Sequence, residues 1–347
     1  MSEFDVRTDD DPPGLDISRL AGWFVLYVPG AGEITSARLI AGGRSNLTYE
    51  VGDGTNSWIL RRPPVGHLVA TAHEMGREYR VMSALAETAV PVPVTYVLCE
   101  DDSVIGAQFY VMQKVDGTPF RRASELEALG AERVRAISTR LVDVLATLHS
   151  IDQQAVGLGE FGRSTGFLSR QIRRWSTQFQ ATKTRELPAA AELAQRLAAR
   201  VPDQSAATIV HGDYRLDNVL IDDNDQVTAV LDWEMATLGD PITDLALLSL
   251  YQRLARLPGG TVVTDAADTP GFLSEAEVRQ RYVEVSGRRL DNFGFYLGLA
   301  HYKFAGIVEG IHYRSVNHQT VGEGFDQYGL LTEPLLEAGL AALKEQF

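Results

Sequence analysis

Apolar and polar residues alternate in several short runs of the first third of the chain, and this alternation predicts β-strands. Residues 34–40 and 47–51 are two such runs, and the small residues between them predict a tight turn. Residues 58–61 and 109–112 form two more. Residues 71–85 open with a Thr-x-x-Glu capping box and then place apolar side chains at helical spacing. The first third is therefore predicted to be strand-rich with one helix.

From about residue 118 onward, apolar side chains recur at helical spacing, which predicts a mainly helical region. Residues 293–313 are apolar on most of their surface and predict a buried helix, whereas residues 258–270 are rich in Gly, Thr, Asp and Pro and predict a loop. A small β region followed by a larger helical one predicts an α+β fold class. The other helical segments are residues 134–148, 189–201 and 274–285.

Composition limits the classes of protein to which the chain can belong. With 347 residues, the chain is long enough for two lobes, each with its own core. A net charge of −14 argues against binding to nucleic acid, which requires a basic face. No apolar run is long enough to cross a bilayer, so we expect no membrane partner. The single cysteine, Cys99, excludes an internal disulfide, fits a reducing cytoplasm and is expected to be a small core residue.

The sequence HGDYRLDN at residues 211–218 carries the most specific chemistry of the chain. It places Asp213 and Asn218 five positions apart on one short loop, and Asp232 follows the next two apolar runs. Phosphoryl transfer needs a carboxylate that orients the attacking hydroxyl and metal ions that neutralise phosphate charge. Asp213 is the predicted base. Asn218 and Asp232 are the predicted Mg²⁺ ligands, because magnesium prefers oxygen donors.

The residues between these positions predict a β-hairpin. Residues 219–221 and 227–231 predict two short strands, and residues 222–225 predict the turn between them. Such a hairpin would return Asp232 to the neighbourhood of Asn218. The alternative is that the acidic residues only solvate a turn, and for the three aspartates of the turn we prefer that interpretation. For the combined motif, the agreement in spacing favours phosphoryl transfer.

In these motifs the chain resembles the aminoglycoside phosphotransferase and choline kinase superfamily, whose members are relatives of protein kinases. Within it, the chain is most similar to the phosphotransferase-like domains that also occur fused to acyl-CoA dehydrogenases. The resemblance extends from about residue 30 to residue 320. It is carried by residues 42–46, 61–64, 77–79, 211–218 and 231–245.

The resemblance implies a two-lobed, protein-kinase-like α+β fold. Residues 1–16 would form an acidic flexible leader and residues 17–114 the N-terminal nucleotide-binding lobe. Residues 115–347 would form the C-terminal lobe that carries catalysis and acceptor binding. The nucleotide-binding residues implied by the resemblance are Gly42, Gly43 and Ser45, whose backbone N–H groups would cover the phosphates of ATP, and Gln113 and Val115, whose backbone would grip adenine.

One departure from the family concerns the third strand, where protein kinases have lysine and this chain has Arg61 followed by Arg62. Adjacent strand residues face opposite sides, so only one of the two can face the nucleotide. We favour Arg61 for phosphate binding over the alternative that both are solvated, and Glu78 would anchor it. Asp240 and Asp244 are expected to brace the catalytic segment rather than to react.

Contacts to the acceptor are expected next to the metal-binding aspartate and along the last long helix. His149 and His211 are instead expected to pack or to shape the loop. The alternative for each acceptor candidate is an ordinary solvated or locally hydrogen-bonded side chain. The acceptor candidates are Glu234, His301, Glu309 and Arg314.

The expected function is an ATP- and Mg²⁺-dependent phosphotransferase, a kinase that acts on a hydroxyl of a small molecule. The family implies an aminoglycoside-type acceptor; the alternatives are a hydroxyacyl thioester or another housekeeping metabolite and, in a different class, a catalytically silent nucleotide-binding protein. GTP in place of ATP and the oligomeric state are left open. A cationic acceptor would need carboxylates around Asp213, whereas a coenzyme A ester would need a basic patch, for which Lys303 and Arg314 are candidates.

Overall fold

The structure is a computed structural model that describes residues 12–42, 46–64, 72–204, 206–317 and 325–345. These residues divide into two compact units. Unit 1 comprises the residues up to Asp116 together with Ala229–Glu234. Unit 2 comprises Gly117–Thr228 and the residues from Met235 onward.

Unit 1 is built on a five-stranded antiparallel sheet with the order β1-β2-β3-β5-β4. Four of these strands lie where the alternating pattern predicts them, whereas β4 was not predicted. Helix α2 follows the third strand, and helix α1, which the pattern did not predict, precedes the first. The elements are α1 (Ile17–Tyr27), β1 (Ser36–Gly42), β2 (Leu47–Gly52), β3 (Ser57–Arg62), α2 (Ala72–Leu85), β4 (Thr95–Cys99) and β5 (Phe109–Gln113).

The packing of α1 against the core of unit 1 explains why the apolar pattern of the sequence did not predict this helix. The helix begins at Asp16, whose Oδ1 accepts a hydrogen bond from the Arg19 N–H at 2.9 Å. It fully buries Leu20 and Phe24 and partly buries three more apolar residues, while Val25, Leu26 and Tyr27 are exposed, so apolar residues on both faces obscure the helical period. Of the predicted acidic leader, residues 1–11 lie outside the described residues, and Leu15 is buried in the core. Cys99 is also buried there, as predicted.

Unit 2 is mainly helical, and its helix α9 is the central element. This helix contacts the four helices α5, α6, α7 and α10 and is buried along most of its length, as its apolar sequence predicts. The predicted loop at residues 258–270 is irregular apart from two short 3₁₀ turns. The helices are α3 (Ala123–Glu127), α4 (Ala131–Ser150), α5 (Phe167–Thr182), α6 (Pro188–Ala198), α7 (Ile242–Leu254), α8 (Glu275–Ser286), α9 (Phe293–Val316) and α10 (Thr332–Ala342).

Four short strands of the chain lie between α6 and α7. Strands β6 (Thr208–Val210) and β9 (Thr237–Gly239) pair antiparallel, and strands β7 (Val219–Ile221) and β8 (Val227–Val230) form the predicted hairpin. The turn of the hairpin is closed by the Asp222 N–H, which donates to the Gln226 carbonyl at 3.0 Å. The α+β class is therefore confirmed. Within the described part of the chain, every helix is too short or too polar to cross a bilayer.

Candidate active site

The loop after β6 is fixed by a buried aspartate of α7. Asp244 accepts a hydrogen bond from the His211 N–H at Oδ2 (2.7 Å) and one from the Gly212 N–H at Oδ1 (2.8 Å). His149 Nε2 lies 3.2 Å from Asp244 Oδ2. Gly212 has φ 82°, and a Cβ at this position would lie 2.7 Å from the Met235 carbonyl oxygen. The loop therefore requires glycine before Asp213 and uses Asp244 as the brace that the sequence predicts.

Asp213 is held by two side chains of unit 2. Its Oδ1 accepts a hydrogen bond from the Tyr251 hydroxyl at 2.5 Å, and its Oδ2 accepts one from Asn218 Nδ2 at 3.2 Å. Asn218 Nδ2 also donates to the backbone oxygen of Asp213 at 2.9 Å. Because Asn218 uses its amide nitrogen for both contacts, its Oδ1 is the atom that can serve a metal ion.

Cations next to Asp213 determine its ionisation. Burial alone would raise the pKa of Asp213, but Arg215 and Lys303, together with the hydrogen bond from Tyr251, lower it below its ordinary value. Lys303 donates a hydrogen bond to the Gly212 carbonyl, and the Arg215 guanidinium lies 5.0 Å from the centre of the Tyr251 ring. Asp213 is therefore ionised at neutral pH, the state that a base or hydroxyl-orienting group requires.

Unit 1 contains a second charged cluster, centred on Arg61 of β3. Arg61 Nη2 lies 2.5 Å from Asp232 Oδ1, and Arg61 Nε lies 3.2 Å from Glu78 Oε2. The pairing with Glu78 is the one that the sequence predicts. Arg62 faces the other side of the strand and donates hydrogen bonds to the backbone oxygens of Gly14, Pro63 and Ile105.

Glu78 is fully buried, and burial raises its pKa to about 7 although the Arg61 guanidinium lowers it. The Tyr110 hydroxyl donates to Glu78 Oε2 at 2.7 Å, and Asn46 Nδ2 donates to Glu78 Oε1 at 3.1 Å. The carboxylate of Asp232 contributes to the upward shift of the Glu78 pKa, because two negative charges in one buried site repel each other.

The oxygens of Glu78, Asp232 and Glu234 lie within 4.8 Å of one another. Asn46 Nδ2 joins Glu234 to this cluster at 3.2 Å from its Oε2. Arg61 contacts two of these carboxylates, those of Asp232 and Glu78. Carboxylate oxygens are the ligands that Mg²⁺ prefers, and the donor set therefore fits a divalent cation at Asp232.

The residues expected to bind nucleotide all belong to unit 1. Gly42 ends β1 and pairs with Leu47, while Gly43 and Ser45 lie outside the described residues. The Gln113 N–H donates to the Val94 carbonyl at 2.7 Å, so this N–H is already used within unit 1. Val115, two residues further on, is half-buried. A backbone grip on adenine by this segment stays a prediction.

Two of the acceptor candidates lie in the interior of unit 2. His301 is fully buried, its Nδ1 lies 2.7 Å from the Leu297 carbonyl oxygen, and burial lowers its pKa to about 4. Glu309 is also fully buried and pairs with Arg185 at 3.1 Å. Because both side chains are buried, neither can contact an acceptor, and we no longer assign them to acceptor binding. Arg314 is exposed, and Glu234 belongs to the cluster of unit 1.

From the sequence, Tyr251 and Arg215 were not assigned to the site. Lys303 was considered only as a candidate for a basic patch that would bind a coenzyme A ester. Tyr251 lies seven residues after Asp244 on α7, and that spacing places both on one helix face toward the loop. Arg215 is part of the catalytic motif itself. Lys303 is the only lysine, arginine or acidic residue between Phe293 and Val308 of α9, and this isolation was the available signal.

Comparisons with known proteins agree with these features. Residues 36–276 match the sequence profile described as the phosphotransferase enzyme family. The chain therefore belongs to the phosphotransferase enzyme family, as the resemblance predicts. Family membership and similarity to solved aminoglycoside phosphotransferases support an enzyme of the kinase type.

The solved structures confirm the kinase-like fold. A putative aminoglycoside phosphotransferase from Ralstonia eutropha JMP134 is 34% identical, with a TM-score of 0.83 over 96% of this chain and 100% of that chain. An aminoglycoside phosphotransferase APH(4)-Ia mutant, solved with AMP-PNP and hygromycin B, has a TM-score of 0.62 over 94% of this chain and 99% of that chain. At 15% identity, this second likeness shows the fold alone.

Curated relatives are longer proteins. Acyl-CoA dehydrogenase family member 10 of Mus musculus is 38% identical over 310 residues, which are 88% of this chain and 29% of that protein. Acyl-CoA dehydrogenase family member 11 of Homo sapiens is 35% identical over 309 residues, 88% of this chain and 40% of that protein. The chain thus spans well under half the length of these relatives.

Proposed function

We propose that this protein transfers the γ-phosphoryl group of ATP to a hydroxyl of a small molecule in a Mg²⁺-dependent reaction. The observation that carries the proposal is the state of Asp213. Hydrogen bonds from Tyr251 and Asn218 fix its carboxylate, and its pKa lies below the ordinary value. Family membership supplies the reaction class, and Asp213 supplies the group on which such a reaction depends.

Asp213 would orient the acceptor hydroxyl and take its proton as phosphoryl transfer proceeds. Each carboxylate oxygen has one donor from the protein, Tyr251 for Oδ1 and Asn218 for Oδ2, and each oxygen retains capacity for a further hydrogen bond. The two donors restrict rotation of the carboxylate, so the hydroxyl would meet a fixed acceptor atom. The brace from Asp244 to the loop backbone keeps that atom in place.

The nucleotide would bind unit 1, with Arg61 on its phosphates and Glu78 holding the arginine. Gly42, Gly43 and Ser45 would cover the phosphates, and the segment from Gln113 to Val115 would take adenine. Asn218 Oδ1 and the carboxylate of Asp232 would hold Mg²⁺. When bound, the ion would neutralise negative charge on the phosphates. Arg61 now contacts Asp232 Oδ1, which leaves Oδ2 for the metal.

The charges around Asp213 favour an acceptor other than an aminoglycoside. A polycationic acceptor requires carboxylates near the base, but Asp213 lies beside the cations Arg215 and Lys303. A basic surrounding suits an anionic acceptor, such as the hydroxyacyl thioester of coenzyme A considered above. Similarity to acyl-CoA dehydrogenase family members 10 and 11 supports the same choice. A hydroxylated acyl thioester is therefore the acceptor class that we prefer.

The test is acceptor-dependent release of ADP by the purified protein. Reactions would contain ATP or GTP, with Mg²⁺ or with a chelator, and a panel of hydroxyacyl-CoA esters, free hydroxy acids and aminoglycosides. We expect ADP release with ATP and Mg²⁺ that depends on a hydroxylated acceptor and stops with the chelator. Nucleotide binding without turnover of any acceptor would instead support the catalytically silent alternative, against which the presence of Asp213, Asn218 and Asp232 argues.

A further inference from the structure

Two cations of unit 2 face the same aromatic ring beside the catalytic loop. The Arg174 guanidinium lies 5.3 Å and the Lys303 ammonium lies 5.9 Å from the centre of the Trp175 ring. Arg174 and Trp175 belong to α5, whereas Lys303 belongs to α9. Lys303 also donates a hydrogen bond to the carbonyl of Gly212, the residue before Asp213. The two cations and the base therefore lie in one region of unit 2.

Among the described residues, neither of these two cations has a carboxylate within ion-pair distance, unlike several other basic residues of unit 2. Arg253, for example, binds Glu345 and Glu275 at 2.7 and 2.8 Å. Arg215, the other cation next to Asp213, is paired with Asp217. Burial and the charge of Arg174 lower the pKa of Lys303, whereas Asp213 and Asp244 raise it, so the two cations repel each other. An anion between them would relieve this repulsion.

The indole of Trp175 provides a second, independent sign of a ligand. Trp175 is 6% exposed, and its Nε1 is buried without a hydrogen-bond partner in the described structure. A buried N–H that lacks an acceptor costs free energy, and the indole nitrogen is a donor only. The group that satisfies it must therefore supply an acceptor atom, as the oxygen of a phosphate or carboxylate does.

We propose that Lys303, Arg174 and the Trp175 indole N–H form a binding site for an anionic group of the acceptor, a phosphate or a carboxylate. The inference rests on the proposed function, because it assumes that the same molecule presents its hydroxyl to Asp213. Lys303 contacts the backbone immediately before Asp213, so the site and the base can be reached by one ligand. The site selects an acceptor of negative charge and excludes the polycationic antibiotics after which the relatives of known structure are named.

The decisive measurement follows the indole N–H of Trp175 by NMR in the full chain labelled with ¹⁵N-tryptophan. The chain has four tryptophans, and the variant Trp175→Phe identifies the signal. Inorganic phosphate and acetate are titrated separately, which distinguishes a phosphate from a carboxylate ligand. We expect a saturable shift of the Trp175 signal with at least one anion, and no such shift in the double variant Arg174→Gln, Lys303→Met.

The control variant is Arg173→Gln, which removes an exposed arginine next to Arg174 on the same helix. It should retain the shift, as should Lys303→Arg, which keeps the charge. A Trp175 signal that neither anion moves, or that moves equally in the double variant, would overturn the proposal. Thermal unfolding of each variant separates loss of binding from loss of the fold, because Lys303 also contacts the catalytic loop.

Kinetics with the acceptor found in the ADP-release screen give a second readout. Arg174→Gln should raise KM for an anionic acceptor about tenfold or more with little change in kcat, because a charged partner of the bound ligand is lost. Preference for an aminoglycoside over its anionic competitors would contradict the proposal. If ATP turnover fails altogether while the Trp175 shift persists, the proposed function falls and the anion site stands. If ATP turnover persists while no anion shifts the Trp175 signal, the proposed function stands and the anion site is disproved.

Discussion

Two clusters of this molecule contain the same kinds of charged side chain, but the pKa of a carboxyl group falls in one cluster and rises in the other. In unit 2, Asp213 lies next to Arg215 and Lys303, and its pKa falls below the ordinary value. In unit 1, Arg61 faces several carboxylates, and the pKa of Glu78 rises to about 7. Both clusters are withdrawn from solvent. Burial raises the pKa of both carboxyl groups; the cations beside Asp213 outweigh it, whereas Arg61 does not outweigh it at Glu78.

The difference assigns a separate task to each cluster. A carboxylate among cations is ready to accept a hydrogen bond from a hydroxyl and needs nothing further. Carboxylates that lie close together are stabilised by a proton or by an additional cation, so the cluster of unit 1 is suited to bind one. Mutations that disrupt either cluster test this contrast.

The largest effect is expected from Asp213→Ala. The variant keeps the nucleotide cluster of unit 1 but removes the carboxylate that orients and deprotonates the hydroxyl. We expect kcat to fall by roughly two to four orders of magnitude while ATP affinity stays unchanged. Steady-state ADP release and equilibrium nucleotide binding measure the two quantities. Asp223→Asn, an exposed carboxylate of the hairpin turn, is the control, and equal loss in both variants would remove Asp213 from its role.

Asp244→Ala should act through the protein fold. Asp244 is buried, accepts the N–H groups of His211 and Gly212, and contacts His149, so its loss leaves buried donors without an acceptor. We expect a loss of about 3 kcal/mol in the free energy of unfolding, measured by urea denaturation.

The control for this variant is Asp291→Asn, which removes the charge of an exposed aspartate that pairs with the exposed Arg289. It should change the free energy of unfolding by less than about 0.5 kcal/mol. Stability of Asp244→Ala equal to that of the control would show that the loop holds its conformation without the brace.

Arg61 and Arg62 form a matched pair, because neighbouring positions of one strand carry the same residue on opposite faces. Arg61→Met should weaken ATP binding roughly tenfold to a hundredfold, since the cation that we assign to the phosphates is removed. Arg62→Met should leave ATP affinity nearly unchanged and reduce stability, because Arg62 donates to three backbone oxygens. Isothermal titration with ATP and urea denaturation test both variants. If Arg62→Met weakened ATP binding and Arg61→Met did not, the roles of the two arginines would be exchanged.

Much of this architecture could be predicted from the sequence because local patterns encode it. Alternation predicted four of the five strands of the unit 1 sheet, all but β4, and the turn residues from Asp222 to Asp225 predicted the hairpin. The arrangement of Arg61 and Arg62 followed from the two faces of a strand. The brace by Asp244 was also expected, because the motif fixes its distance along the chain from the catalytic loop.

The residues that could not be predicted depend on packing between distant segments. Tyr251 reaches Asp213 across 38 positions, and Trp175 meets Lys303 only because α5 packs against α9. The sequence also suggested His301 and Glu309 as acceptor contacts. Their polarity signals exposure on a solvated helix, but α9 is covered by its neighbours and buries them. The spacing of apolar residues along a buried helix does not show which neighbouring helix each of its faces contacts.

The smallest effect concerns the proton on Glu78. Its pKa is raised from 4.5 to about 7, so the folded protein holds a proton that the unfolded chain has already released between these values. Stability should therefore fall as pH rises through this window and level off above about pH 7. Glu78→Gln stays neutral and should flatten the decline, by about 1–2 kcal/mol between pH 5.5 and 7.5. Urea denaturation at these two pH values measures it. The exposed Glu87→Gln should keep the slope of the wild type. Parallel pH profiles for Glu78→Gln and the wild type would mean that Arg61 keeps Glu78 ionised, and the contrast between the two clusters would disappear.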